Sequence, residues 1–208
     1  MTGVPQWLVW ARRLASLAQN GLHFTENQFD RERYEELRDI AAEMLSAGSD
    51  APMEKVLDLL GRGYGYDTPK IDVRGAVFRD DTILLVREAQ DGKWAMPGGY
   101  VDVGLTPSAA VEKEVREESG LIVRAERLVG WTDRDLRGEI PAYVYHIHKL
   151  YFICTELGGD LHARHETTDA AFHPLDNLPP LSEGRTLPWQ IELIAARRQP
   201  LAAEPFFD

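Results

Sequence analysis

The chain has 208 residues and a mass of 23.5 kDa, which allows one large domain or two small ones. It carries 34 acidic and 23 basic residues, and the resulting net charge of −11 argues against binding to the phosphate backbone of a nucleic acid. A short phosphorylated compound is not excluded, because a bound divalent cation reverses the local charge.

Cysteine content and hydropathy bear on the compartment. The single cysteine, Cys154, excludes an internal disulfide and a thiolate zinc cluster, and it is compatible with a reducing, cytoplasmic setting. No run of the sequence approaches the ~18 apolar residues of a membrane span. Arg12 and Arg13 interrupt the apolar N-terminal segment, whereas a signal peptide has its charges first. We therefore expect a cytoplasmic protein without a membrane partner.

The N-terminal part has the pattern of helices. Apolar residues recur at helical spacing between Trp7 and Ala18, and Asn20-Gly21 predicts the end of that helix. Thr25 and Gln28 have the spacing of a capping box, which predicts the start of a second helix. A third, short helix is predicted after Ser49-Asp50. We expect a helical N-terminal domain over residues 1–64.

The pattern changes beyond the turn-rich stretch 61–70, which we interpret as a linker. Strands are predicted over residues 70–78, 82–88, 121–131, 146–157 and 169–175. Helices are predicted at about 106–119 and in the C-terminal run WQIELIAARR. Because strands and helices alternate irregularly, the predicted fold class is α/β (α+β), with a mixed β-sheet sandwiched by helices. This second domain is expected over residues 68–200.

Three carboxylates stand on one face of the helix predicted at 106–119. Glu117 and Glu118 follow Glu114 by three and four residues, so all three share a face. They repel one another unless a hard cation such as Mg²⁺ or Mn²⁺ lies among them. The alternative is a solvated acidic surface. Glu112 lies two residues before Glu114, and we expect it on a different, solvated face.

The run PGGYVDVGLTPSAAVEKEVREESGL, residues 97–121, resembles the signature of the Nudix hydrolases, G-x5-E-x7-R-E-U-x-E-E-x-G-U. The alignment begins at Gly99, and Leu105 and Lys113 stand where the signature has its first glutamate and its arginine. In the family these two residues fix the geometry of the loop and helix by charge contacts. We expect a variant loop in an active enzyme.

The resemblance implies a fold, a reaction and a cofactor. The fold is a Nudix-type mixed sheet, and the reaction is hydrolysis of the pyrophosphate bond in a nucleoside diphosphate linked to another moiety, which releases a nucleoside monophosphate. The implied ligands of Mg²⁺ or Mn²⁺ are Glu114, Glu117, Glu118 and the carbonyl of Gly99. The helical N-terminal segment resembles a bacterial Nudix subgroup often labelled ADP-ribose pyrophosphatases, of which one branch hydrolyses CDP-choline.

Two further roles stay open at this level. The catalytic base is expected among the helix glutamates, Glu114 and Glu117, or at Glu166, whose alternative is an exposed loop residue. Three residues are candidates for substrate contacts. Arg74 would bind a phosphate, or it simply occupies an edge strand. Trp94 would stack on a base, or it packs beneath the loop, and Tyr143 is a further aromatic candidate.

Two other functions compete with the pyrophosphatase. Leu105 and Lys113 keep open a regulatory nucleotide-binding Nudix module with little turnover. An RNA-end-processing Nudix enzyme is the third reading, and the net charge argues against it. Trp7 and Trp10 of the first helix suggest a homodimer surface.

Overall fold

The computed structural model describes residues 5–49, 52, 54, 56, 66–136, 143–163, 167–198 and 204–208. These residues form two compact units, one within residues 1–69 and 142–146 and the other within residues 70–141 and 147–208. Four helices and seven strands are present in the described residues, which confirms the mixed α and β fold class. In this part of the chain, no helix has the length and hydropathy needed to cross a bilayer.

The first unit is built on two helices, α1 (Gln6–Phe24) and α2 (Gln28–Ser49). Their buried positions are dominated by alanine, which lets two helix backbones approach closely. The buried alanines are Ala11, Ala15 and Ala18 of α1 with Ala41 and Ala42 of α2. Leu8, Leu45 and Val56 belong to the same small core.

Both predicted helix boundaries in this unit differ from the observed ones. α1 continues past Asn20-Gly21 to Phe24, and the ring of Tyr34 packs on Gly21, where a Cβ would lie 2.4 Å from it. The cap of α2 is Asn27, whose Oδ1 accepts the backbone N–H of Phe29 at 2.9 Å. The predicted third helix and linker fall mostly at residues 50–51, 53, 55 and 57–65, outside the described residues.

The second unit contains the mixed sheet. Its strands are β1 (Lys70–Arg79), β2 (Thr82–Glu88), β3 (Trp94–Ala95), β4 (Leu121–Asp133), β5 (Ile147–Gly159), β6 (Thr167–Pro174) and β7 (Phe206–Phe207). The strand order is β3-β2-β1-β5-β4-β7, and β6 pairs with β2. β1 is parallel to β5 and β7 is parallel to β4, while the other pairs are antiparallel.

Two helices cover the two faces of this sheet. α3 (Pro107–Ser119) packs Val111 and Val115 against a core that includes Val73 and Val77 of β1. α4 (Pro188–Ala195) packs Ile191 and Ile194 against a second core that includes Ala76 of β1. Because both faces are covered, residues 72–77 of β1 are all buried, as expected for a central strand.

Capping residues set the ends of α3. Thr106 Oγ1 accepts the N–H of Ala109 at 3.2 Å, and Pro107 occupies the first turn, where its missing N–H costs nothing. Gly120 ends the helix with a left-handed φ of 78°. β4 begins at the next residue, so the helix is held between the loop on one side and a strand of the sheet on the other.

Candidate active site

The loop before α3 is bound to the edge of β1 by its own backbone. Val73 donates its N–H to the carbonyl of Gly99 at 2.9 Å, and Gly75 donates to the carbonyl of Pro97 at 2.9 Å. Gly98 lies between these bonds with φ 148°, and a Cβ there would stand 1.9 Å from the carbonyl oxygen of Val73. The approach therefore requires glycine at this position.

The three glutamates of α3 lie beside that loop. Glu118 accepts the N–H of Gly98 through Oε2 at 2.9 Å. The carboxyl carbon of Glu114 lies 3.3 Å from the place where a Cβ of Gly99 would stand. The side chain of Glu114 is 18% exposed and that of Glu117 is 39% exposed. The face thus runs from a half-buried carboxylate at the loop to an accessible one at the surface.

Burial disfavours the ionised forms of two of these carboxylates, Glu114 and Glu118. Desolvation raises the pKa of Glu118 to about 8, against the opposing effect of the Arg74 guanidinium. Desolvation also raises the pKa of Glu114, against the opposing effect of Lys113. A cation bound at this face would stabilise the ionised forms of both groups.

The loop and the helix are joined by an ion pair whose acidic member, Asp102, was not predicted from the family signature. Lys113 Nζ lies 3.1 Å from the carboxylate of Asp102, 3.3 Å from that of Glu117 and 3.7 Å from that of Glu114. Lys113 donates a hydrogen bond to the carboxylate of Asp102, and this bond raises the pKa of Lys113. Leu105, at the signature glutamate position, is 37% exposed. The counter-charge of the loop therefore stands at residue 102 instead of 105.

Arg74 is buried and already hydrogen-bonded on all three of its nitrogens. Its Nε and Nη2 each donate to a carboxylate oxygen of Asp72 at 2.8 Å, and its Nη1 donates to the carbonyl of Met96 at 3.1 Å. Asp72 was not predicted from the sequence. The signal was present, because residues two apart on a strand share a face, and the run Asp72-Val73-Arg74 therefore places the carboxylate beside the guanidinium. The predicted phosphate contact of Arg74 stays a prediction.

The two aromatic candidates occupy different settings. Trp94 is half-buried on the second core, and its ring meets that of His173 edge to face with centroids 4.3 Å apart. Tyr143 belongs to the first unit, is 39% exposed, and its ring meets that of Tyr145 edge to face. Arg12 donates to the Tyr143 carbonyl.

Two glutamates outside this carboxylate face, Glu112 and Glu166, also bear on the sequence predictions. Glu112 was expected to be solvated, but its Oε1 accepts the N–H of Ala125 at 2.8 Å, where the pairing of β4 with β5 is irregular. The carboxylate satisfies a backbone donor left over by that irregularity, so Glu112 has a structural role. Glu166 belongs to residues 164–166, which lie outside the described part of the chain, so its role stays a prediction.

The donor set fits a hard divalent cation. Mg²⁺ and Mn²⁺ take carboxylate, carbonyl and water oxygens, and the face offers the carboxylates of Glu114, Glu117 and Glu118 beside the loop that includes Gly99 and its carbonyl. That carbonyl accepts one hydrogen bond from Val73 and keeps a second lone pair. The Lys113 ammonium, in contact with two of these glutamates, shows that a positive charge is accommodated here.

A glycine loop is bound to the central strand β1, and the helix that follows carries a carboxylate face beside that loop. Residues 68–196 match the NUDIX domain, and residues 5–60 match a domain described as UDP-X-like, N-terminal oligomerisation domain. The chain belongs to the Nudix family and is a Nudix pyrophosphatase. Nudix hydrolases generally need divalent metal ions.

Individual relatives agree with this assignment. A Bacillus subtilis (strain 168) protein named "Putative ADP-ribose pyrophosphatase YjhB" is 43% identical over 91% of this chain and 90% of its own length. A solved structure described as a UDP-X diphosphatase is 35% identical, with a TM-score of 0.63 over 97% of this chain and 98% of that one. The solved structure of an ADP-ribose pyrophosphatase from Streptococcus suis is 40% identical, with a TM-score of 0.60 over 68% of this chain and 100% of that one.

Proposed function

We propose that the protein hydrolyses the pyrophosphate bond of a nucleoside diphosphate linked to a second moiety, of the ADP-ribose or CDP-choline class, and releases a nucleoside monophosphate. The observation that carries the proposal is the contact between Gly98 N–H and Glu118, since it joins the glycine loop to the carboxylate face. Relatives named for ADP-ribose support the first substrate class.

We propose Glu114, Glu117, Glu118 and the carbonyl of Gly99 as the ligands of Mg²⁺ or Mn²⁺. When bound, the metal supplies charge neutralisation at the phosphoryl oxygens and lowers the pKa of a coordinated water. The protein's own part is to place the carboxylates of the helix beside the glycine loop. Lys113 restrains the exposed carboxylate of Glu117 at 3.3 Å and so limits its rotamers.

In the proposed reaction, water attacks one phosphorus, a new P–O bond forms, and the bridging P–O bond breaks. The proton of the attacking water passes to a carboxylate, and the second phosphoryl group leaves on the remaining moiety. The base is Glu117 or Glu114 of the helix face or Glu166 of the 164–166 segment. Glu117 is the most accessible of the two helix candidates, because its side chain is 39% exposed against 18% for Glu114.

Substrate contacts from Arg74, Trp94 and Tyr143 remain part of the proposal. The guanidinium of Arg74 would act on the substrate mostly through its charge, because its three nitrogens donate to Asp72 and Met96. Trp94 is half-buried, while Tyr143 is the more exposed aromatic.

We propose residues 1–64 as a helical domain that forms a homodimer, and residues 68–200 as the catalytic domain. A homodimer is supported by the oligomerisation domain matched at residues 5–60. It is also supported by an apolar stripe on α1: Trp10, Leu17 and Phe24 recur every seven residues and are 53%, 61% and 69% exposed. The cytoplasmic setting inferred from the single cysteine remains a prediction.

A substrate panel tests the reaction. The protein is incubated with Mg²⁺ or Mn²⁺ and with ADP-ribose, CDP-choline, a UDP-linked sugar and a capped RNA, and products are identified by chromatography. The proposal expects a nucleoside monophosphate from at least one diphosphate compound. Nucleotide binding without any monophosphate product would favour the regulatory module, and selective turnover of the capped RNA would favour the RNA-processing enzyme.

A further inference from the structure

The segment that leads into the glycine loop is hydrogen-bonded to a distant part of the chain. Trp94 donates its N–H to the carbonyl of Pro180 at 3.0 Å, and Ser182 donates its N–H to the carbonyl of Trp94 at 2.8 Å. The third bond is different in kind, because Met96 donates its N–H to the side-chain hydroxyl oxygen of Thr186 at 2.9 Å. The residues that precede α4 therefore support the entry to the loop over its whole length.

The backbone of Met96 is held on both sides by buried side chains. Thr186 Oγ1 accepts its N–H, and Arg74 Nη1 donates to its carbonyl oxygen at 3.1 Å. Thr186 and Met96 are fully buried, and Arg74 is 3% exposed. Asp72 fixes the guanidinium by two bonds of 2.8 Å, so the second contact is as constrained as the first.

Met96 stands two residues before Gly98, whose N–H holds Glu118, and three before Gly99. Gly98 has no room to move toward the sheet, because even a Cβ would lie 1.9 Å from the Val73 carbonyl. A rotation of the Met96 backbone would therefore be passed on to the Gly98 N–H and the Gly99 carbonyl. Both of these groups belong to the proposed metal site.

We propose that Thr186 and Arg74 are positioning residues for the metal site, which act by clamping the Met96 backbone from its two sides. Neither residue coordinates the metal in this proposal. Outer residues of this kind orient the groups that do, and their loss typically costs about 10- to 100-fold in metal affinity or activity. The inference rests on the proposed metal site.

The test compares Thr186→Val, which removes the acceptor at nearly constant volume, with Thr186→Ser, which keeps it. Thr132→Val is the matched control, because Thr132 is also fully buried but pairs its hydroxyl with the side chain of Tyr151, at 3.2 Å, and not with the loop backbone. Free Mn²⁺ is titrated into each protein without substrate and followed by electron paramagnetic resonance. Exchange of the Met96 amide hydrogen is measured on the metal-free proteins.

We expect Thr186→Val to weaken Mn²⁺ binding about tenfold and to speed exchange of the Met96 amide, while Thr186→Ser and Thr132→Val stay within about twofold of wild type. If Thr186→Val does not fold, Arg74→Lys tests the proposal instead. A lysine ammonium cannot replace both the two bonds of Arg74 to Asp72 and its bond to the Met96 carbonyl. We expect that variant to weaken Mn²⁺ binding by a similar factor.

Wild-type Mn²⁺ affinity in Thr186→Val, or in Arg74→Lys where the valine variant does not fold, would overturn the clamp. An equal loss in Thr186→Ser and Thr186→Val would do the same, because the effect would then belong to packing and not to the hydroxyl. Failure of the proposed function gives another pattern. Wild-type protein would then bind Mn²⁺ no better than a variant in which Glu117 is replaced by glutamine.

Discussion

The ammonium of Lys113 lies 3.1 Å from the carboxylate of Asp102 and so ties the glycine loop to the helix that carries the three glutamates. In the family signature the corresponding pair joins an arginine to a glutamate at the position of Leu105. Here both members differ, and the anion has moved three residues toward Gly99. The variant loop thus retains a charge contact between loop and helix.

The position of this anion at Asp102 predicts that a glutamate at residue 105 can compensate for its loss. Asp102→Asn should lower turnover by no more than about fivefold, because a solvent-exposed ion pair contributes only about 0.2 to 1 kcal/mol. Leu105→Glu should leave turnover largely intact, and it should restore the loss when combined with Asp102→Asn. Steady-state kinetics of the two single variants and the double variant measures the coupling. Collapse of turnover in Leu105→Glu alone would show that the loop has been rebuilt around an aliphatic residue.

The close approach of Gly98 to β1 gives a prediction about stability. Gly98→Ala should destabilise the fold by more than about 3 kcal/mol, because the new Cβ would stand 1.9 Å from the Val73 carbonyl. Gly104→Ala is the control: Gly104 also has a positive φ, of 94°, but no atom lies within 4 Å of its Cβ position. That variant should lower the free energy of unfolding by about 1 to 2 kcal/mol. Urea unfolding followed by circular dichroism compares them, and equal losses would argue against the contact.

The raised pKa of Glu118 predicts a pH dependence of metal binding. Burial raises this pKa to about 8, so below that pH the metal-free carboxyl is mainly protonated and must release its proton to bind a cation. Mn²⁺ affinity should therefore increase with pH up to about 8 and then level off. Calorimetry in buffers of different ionisation enthalpy measures the released proton. A Glu118→Gln variant should bind Mn²⁺ more weakly and should no longer release this proton on binding. If the variant released as many protons as wild type, the proton would come from another group.

The exposed stripe on α1 predicts a change in oligomeric state. Leu17→Glu would place a charge at the middle of the stripe, between Trp10 and Phe24, and should shift the protein from dimer to monomer. Leu157→Glu in the second unit changes a leucine of similar exposure, 57% against 61% for Leu17, and should leave the assembly unchanged. Light scattering after size exclusion gives the mass of each. A Leu17→Glu variant with wild-type mass would place the interface elsewhere.

The sequence predicts most of the regular elements because their signals are local. The face shared by Glu114, Glu117 and Glu118 follows from helical periodicity, and Thr106 and Gly120 mark the ends of that helix. β3 and β7 were not predicted, because two residues carry no periodic pattern and both strands depend on pairing with β2 and β4. Tertiary packing decides such elements.

The candidate site was predicted in part, and the limits have physical reasons. The role of Thr186 depends on a contact across 90 residues of sequence, which no local motif encodes. Asp102 was missed because the family pattern directs attention to Leu105, and a charge that moves within a loop keeps no fixed spacing. Glu112 was expected to be solvated, because the irregular pairing of β4 that leaves the Ala125 N–H available is not visible in the helix sequence.

The central claim is that the carboxylate face on α3 is the catalytic metal site of a pyrophosphatase, and turnover of Glu117→Gln tests it most directly. The substitution removes a ligand charge where transition-state charge is stabilised, so we expect a loss of at least about 100-fold with the substrate and metal identified in the panel. The fold should be retained, because the repulsion between neighbouring glutamates is relieved at the same time. Wild-type turnover in a folded Glu117→Gln protein would contradict the assignment.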